Sequence, residues 1–184
     1  MIINKILYSF ILSVYVLIEL FTPNFYWQIK FSYLMDEPSF TELKQYDTKD
    51  NRDGHINGSL TVIWRDWDKI IKNWPKMVYV TTVNPREIKG PHLHTKRNSY
   101  FVCIHGKVIF VIKDKNGEYI EVESSDNNPV MIFVPKNIPS AHINPSNGIS
   151  RVLALADIAW KPNDNEMINV TFDDYNWKKW TRKL

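Results

Sequence analysis

His92 and His94 stand two residues apart behind Lys89-Gly90-Pro91, and a third histidine, His142, returns shortly after Pro135. In an extended strand residues i and i+2 share a face, so the first two imidazoles project together. A third arriving from a later strand could complete a pocket inside a small barrel. Two chemistries fit this pattern. Three imidazole nitrogens can hold a divalent metal, or one neutral imidazole, with an ordinary pKa of ~6.5, can act as a base supported by polar neighbours. For His92 the two are mutually exclusive, since a metal-bound nitrogen cannot take a proton. The bland alternative is a pair of surface histidines on an edge strand.

In Pro139-Ser140-Ala141-His142-Ile143-Asn144, alternation sets His142 and Asn144 on one face, which could point into the barrel. His105, beside Gly106, reads as solvent-exposed, and His55, in the polar stretch 51–58, has no partner in sight. Neither is assigned a role.

The elements that must position these groups read as short strands. Leu60 to Trp64 and Met77 to Val83 are rich in β-forming residues. Tyr100 to Ile104 and Lys107 to Ile112 form an apolar pair around the His105-Gly106 turn. After the turn at Lys115-Asn116-Gly117, Glu118 to Glu123 alternates as a strand with one wet face. Asp126-Asn127-Asn128-Pro129 turns the chain again, and Val130 to Val134 and Arg151 to Ala156 add two more strands. Asp66 to Trp74 suits one short helical turn. With no long amphipathic helix after residue 75, the fold class is all-β, a sandwich or small barrel.

The chain has 184 residues, 44% hydrophobic and 23% charged, enough for one domain with a sizeable core. A net charge of +3 spread along the chain does not suggest a nucleic-acid groove but suits an anionic small molecule. The single cysteine, Cys103, cannot pair internally and lies in an apolar run where burial is the better reading; a reducing, cytoplasmic setting is the default. Residues 1–34 differ from the rest as an apolar extension. From Ile6 to Phe21 the chain is almost wholly apolar, near the ~20 residues of a membrane span. Glu19 and the weak basic flanks, Lys5 and Lys30, argue against a span. The extension reads either as an anchor through residues 6–21 or as dispensable, with the working domain at 35–184.

The run from Lys89 to Gly106, then Val134-Pro135-Lys136-Asn137 and His142, resembles the two motifs of the cupin superfamily, a double-stranded β-helix or jelly roll. Lys89-Gly90-Pro91-His92 resembles the Arg-Gly-Leu-His motif of dTDP-4-dehydrorhamnose 3,5-epimerases, and Glu166 to Asp173 that family's segment ending in Trp-Asn-Asp. Together these cover roughly residues 52 to 180. Thr81 to Gly106 is also similar to the cupin domain of bifunctional capsular polysaccharide enzymes acting on nucleotide 4-keto sugars. The resemblance implies a nucleotide-sugar substrate, an enolate mechanism with no cofactor, a homodimer, and a place in surface polysaccharide synthesis. It implies His92 as base and Asp173 as the carboxylate that orients it. Lys89, Lys96 and Arg97 would then neutralise pyrophosphate or enolate charge, His94 and His142 would line the cavity, with His94 polarising the ketone, and Trp160, before Lys161-Pro162, would stack on the base.

Departures from the family pattern bear on the chemistry. Lys89 keeps the charge of the epimerase arginine but loses its bidentate fork. Metal cupins carry a glutamate where this chain has Asn98 and Ser99, leaving His92, His94 and His142 as the alternative metal set. The epimerases' lysine corresponds by spacing to about Ser99, and no tyrosine stands within Arg151 to Leu155, where their acid is expected. Tyr100 could donate a proton, but its apolar strand favours core packing. A 3,4-ketoisomerase, a metal cupin such as a dioxygenase, and a non-catalytic sugar-binding cupin are the other readings.

Overall fold

Tyr100–Cys103, Val108–Ile112 and Val130–Val134 lack the polar–apolar alternation of a strand with one wet face, and the reason is that both faces of these strands are covered. The computed structural model describes residues 36–181; the stretch 6–21 and the boundary expected after residue 34 lie outside the described residues. Among the described residues no helix is long and apolar enough to cross a membrane.

In chain order the strands are β1 (Ser39–Glu42), β2 (Gln45–Lys49), β3 (Ile56–Thr61), β4 (Met77–Val83), β5 (Ile88–His94) and β6 (Ser99–His105). They continue with β7 (Lys107–Lys113), β8 (Tyr119–Ser125), β9 (Val130–Val134), β10 (Ser140–Ile143), β11 (Ser150–Ala156) and β12 (Met167–Asn169), before the single-turn helix α1 (Lys178–Thr181). Two five-stranded antiparallel sheets form, in the orders β1-β9-β6-β11-β4 and β12-β5-β10-β7-β8, and β2 and β3 make a separate hairpin. This is the jelly-roll arrangement that the sequence suggests.

Phe101, Cys103, Val108, Phe110, Ile112 and Ile132 fill the space between the two sheets. Their neighbours in sequence point outward and are buried as well. Tyr100, Val102, Met131 and Phe133 pack under the segment carrying Ile63, Trp64, Ile70 and Ile71, while Ile109, Val111, Ala141 and Ile143 pack under Phe172, Tyr175, Trp177 and Trp180. At about 25 cal/mol per Å² of apolar area buried, these outer layers stabilise the fold along with the central core. β8 alternates as expected: Glu121 and Glu123 are exposed, whereas Ile120 and Val122 pack inward.

Two local expectations shift. The strand expected at Leu60 to Trp64 begins four residues earlier and ends at Thr61, as β3, and Ile63 and Trp64 instead cover a sheet face. Residues 66–74 form turns, not a helical turn. Pro75 pushes Trp74, the residue before it, out of the α region and so closes the end of this stretch to a helix.

The strand that matters most is irregular. Ser140 and His142 of β10, two apart, face His92 and Lys89 of β5, three apart, so β5 carries one extra residue at Gly90-Pro91. Gly90 has φ +90° and is followed by a cis peptide bond. A Cβ on it would sit 2.9 Å from the Ser140 carbonyl oxygen and 3.2 Å from His92 Nδ1, so only glycine fits. The bulge breaks the period of two: Lys89 bonds across to Thr81 of β4 in the other sheet, and His92 and His94 also face that interior.

Candidate functional site

His92 and His94 share one face, as their spacing requires, with ring centroids 5.3 Å apart at 71°. Their environments differ. His94 Nδ1 lies 2.9 and 3.0 Å from the two carboxylate oxygens of Glu166, and its Nε2 lies 3.0 Å from Arg97 Nη2. A guanidinium can only donate and a carboxylate only accept, which fixes the tautomer: Nδ1–H donates to Glu166 and the Nε2 lone pair accepts from Arg97. Burial, then the charge of Arg97, hold the His94 pKa down to about 3, so the ring is neutral. Its one proton goes to Glu166, so His94 has none to offer a ketone, contrary to the role expected for it.

Arg97 and Glu166 are both buried, with Arg97 Nε 3.2 Å from Glu166 Oε1. That nitrogen nevertheless makes no aligned hydrogen bond; the contact is one of charge, not of directed bonding. Burial raises the Glu166 carboxyl and Arg97 opposes the rise. The Glu166 backbone is pinned by Thr95, whose N–H and Oγ1 both donate to its carbonyl, at 2.7 and 3.1 Å. In the sequence Glu166 stands out only as the first residue of the segment that resembles the epimerases' tail, with no role attached to it. It stands 72 positions after His94, and only the pairing of β12 with β5 brings it there.

Among the described residues the His92 ring makes no hydrogen bond. Burial lowers its pKa, helped by Arg97 and Lys89, leaving a half-buried neutral imidazole with an open lone pair. His142 lies deeper, against Phe110 at 5.0 Å and Phe101 at 6.4 Å, with Nε2 buried and unpartnered. Burial, then Lys89 and His92, hold it down to about 3. Asn144, on the same face, braces a loop through Val83 and Gly148 carbonyls. Tyr79 enters from β4 of the opposite sheet, its hydroxyl kept protonated by burial and influenced by Arg97 and Glu166. It stands opposite Ala154 of β11, the strand where a tyrosine was expected and is lacking.

The other expected residues fall elsewhere. Asp173 does not meet His92; its exposed carboxylate accepts from Thr171 Oγ1 at 2.8 Å, because the segment after β12 leaves the sheet to cover its outer face. Lys96 pairs on the surface with Asp164 at 2.7 Å. Trp160 is exposed and, with Lys161, Asn163, Asp164, Asn165, Glu166 and Met167, lines a cavity of about 240 Å³. Tyr100 is core, stacked on Phe133 at 4.7 Å, its hydroxyl accepting from the Lys72 N–H. Cys103 is buried, its thiol pushed up to about 11 by burial.

His92, His94 and His142 do not fit a metal. Both nitrogens of His94 are engaged, and among the described residues the one His, Cys, Asp or Glu group with ligand atoms within 4.8 Å of one another is Asp50, Asp53 and His55, between β2 and β3. The missing cupin glutamate has a counterpart in Glu166, which serves the histidine and the arginine instead.

No curated protein matches the sequence. Solved structures share the fold. A dTDP sugar isomerase from Desulfovibrio desulfuricans G20 superposes with a TM-score of 0.65 at 16% identity, over 80% of this chain and 96% of its own. QdtA, a sugar 3,4-ketoisomerase from Thermoanaerobacterium thermosaccharolyticum in complex with TDP, gives 0.56 at 24%, over 74% and 90%. RmlC from Legionella pneumophila, a dTDP-6-deoxy-D-glucose-3,5-epimerase in complex with dTDP-4-keto-L-rhamnose, gives 0.61 at 15%, over 77% and 76%. The family model described as "FdtA: WxcM-like, C-terminal" matches residues 37–176, which span both sheets, the histidine pair and Glu166, and the chain belongs to that family.

Proposed function

We propose that the chain epimerises or isomerises a nucleotide-linked 4-keto-6-deoxysugar by moving a proton at a carbon beside the ketone. The observation that carries this reading is His92, a neutral imidazole with an open lone pair, set among cations in the interior of the fold. A base there takes the carbon-bound proton, and the electron pair moves onto the carbonyl oxygen as an enolate. Arg97 and Lys89 supply positive charge for that oxygen, and Tyr79 a hydroxyl. His92 rises from one sheet and Tyr79 from the other. A sugar ring between them meets a base on one face and an acid on the opposite face, as epimerisation requires. The fold is shared by a dTDP sugar isomerase, a sugar 3,4-ketoisomerase in complex with TDP and a dTDP-6-deoxy-D-glucose-3,5-epimerase in complex with dTDP-4-keto-L-rhamnose, which supports the reading. Trp160 offers a stacking surface for a nucleotide base.

The test is incubation with dTDP- and UDP-linked 4-keto-6-deoxysugars in heavy water, following carbon-bound deuterium by NMR. Deuterium at C3 and C5 supports a 3,5-epimerase, at C3 alone a 3-epimerase, and a 3-keto product a 3,4-ketoisomerase. A folded protein that exchanges none of these sugars overturns the proposal.

A homodimer is proposed on a separate observation. Among the described residues β4 is a free sheet edge with no charge or proline, exposing Val78 and Val80. The other edges are short, as in β1 and β12, or carry Glu121 and Glu123, as in β8. The β2–β3 hairpin exposes Tyr46, Ile56 and Leu60, and a two-stranded hairpin is marginal alone. An uncharged edge and an apolar hairpin suit a second copy of the chain.

A further inference from the structure

We infer that Arg97 is a positioning residue that caps the lone pair of His94 and releases it when an anionic group of the substrate takes up the guanidinium. The anion's identity rests on the nucleotide-sugar reading; the cap itself rests on geometry.

An imidazole whose Nδ1–H is given to a carboxylate and whose Nε2 receives a guanidinium N–H has no site left for an incoming proton. His94 is in that condition. Arg97, by contrast, is under-satisfied: it is buried, one N–H is spent on an imidazole, and Nε faces Glu166 without an aligned bond. A phosphate or enolate oxygen offers a guanidinium two parallel charge-assisted bonds, stronger than the bond to a neutral imidazole. Once Arg97 turns to such a group, Nε2 is open while Glu166 still holds Nδ1–H from behind. That is the form in which a carboxylate-backed histidine accepts a proton. The reaction then has two proton carriers on one face of β5, His92 open from the start and His94 opened by the substrate.

The surrounding charges do not supply another cap. His92, on the same strand, is neutral; Lys89 acts on His92 and His142; Tyr79, from β4, keeps its proton; and Lys96 and Asp164, beside Glu166, pair with each other. Among the described residues, the hydrogen bonds of the His94 ring are those to Glu166 and Arg97.

Imidazole ¹⁵N spectra of the full chain, recorded from pH 8 to pH 4, test the cap. In the wild type His94 should hold the Nδ1–H form and not titrate in this range, its pKa lying at about 3. In Arg97→Met, which keeps length and removes every donor, Glu166 alone faces the ring and the His94 midpoint should rise by two or more pH units into the window. A folded Arg97→Met protein whose His94 still does not titrate overturns the cap. If that variant fails to fold, Arg97→Ala, which also removes every donor and leaves room for water beside Glu166, should move the midpoint the same way, and an unchanged His94 overturns the cap equally. Saturating TDP on the wild type tests release. His94 should begin to titrate between pH 4 and 8, whereas TDP that does not bind, or binds and leaves the His94 signals in place, overturns release by an anion. A His94 that responds in a protein exchanging no 4-keto sugar would leave the cap standing and remove the substrate reading; exchange with an unresponsive His94 would do the reverse.

Discussion

Glu166 Oε1 sits 2.9 Å from His94 Nδ1 and 3.2 Å from Arg97 Nε, so one buried carboxylate serves both a neutral imidazole and a guanidinium. Its position is fixed by a three-residue strand and by two bonds from Thr95, which makes the end of β12 part of the site's chemistry.

Glu166→Gln leaves Arg97 buried without a counter-charge. Losing one member of a buried pair costs about 3–5 kcal/mol, and urea unfolding at pH 7 should show a loss of that order. A change under about 0.5 kcal/mol, the range of a neutral surface substitution, would mean that the pair does not hold in solution.

His92→Asn should slow deuterium exchange into a 4-keto sugar by about 10²–10⁴-fold, the usual contribution of a general base, with the fold intact by circular dichroism. Asp173→Asn should leave the exchange rate near wild type and stability within about 0.5 kcal/mol, since its partner is Thr171 on the surface. Equal loss in both variants would restore Asp173 to the site.

Acid should weaken the fold through His142. Burial holds this imidazole down to about 3, whereas in the unfolded chain it titrates near ~6.5. Its contribution is therefore complete above about pH 6.5 and is lost progressively as pH falls toward about 3, where the folded form begins to bind the proton. His94 adds the same sign. Unfolding free energies at pH 7 and pH 5 should differ less in His142→Phe than in the wild type, because an apolar ring in that unpartnered place carries no proton; an identical pH dependence would count against the assignment.

Gly90→Ala should cost about 1–3 kcal/mol for the left-handed backbone alone, and more because its Cβ would meet the Ser140 carbonyl. Thermal unfolding checks this, and a melting temperature equal to wild type would be inconsistent with the bulge as described.

Val80→Glu puts a charge in the middle of the β4 edge, where Val80 is half-exposed. Sedimentation should show a dimer for the wild type and a monomer for the variant, by the same means that keep natural edges apart. A wild-type monomer, or a variant that stays dimeric, places any association elsewhere.

The sequence revealed the strands whose pattern is decided locally. β4, β6, β7, β9 and β11 fall where apolar runs and turn residues set them, and the two-residue spacing of His92 and His94 was enough to infer a shared face. What was not legible depended on pairing between distant segments. Glu166 and Tyr79 have no local signature, and each reaches the site only because β12 lies beside β5 and β4 closes the facing sheet. Asp173 was drawn toward the site by resemblance, but Phe172 and Tyr175 on either side of it belong to the outer layer, and that burial decides where the segment goes.

The extra residue in β5 makes chain length, as well as residue identity, a determinant of the site. Lys89 reaches one wall of the interior and His92 and His94 face the same space because three residues of β5 span what two of β10 span. Were β5 to run through Gly90-Pro91 as a regular strand with its length unchanged, Lys89 and His92, three apart, would point to opposite faces. Every chemical group of the site would remain in the sequence, while the lysine and the histidine pair would no longer face the same space.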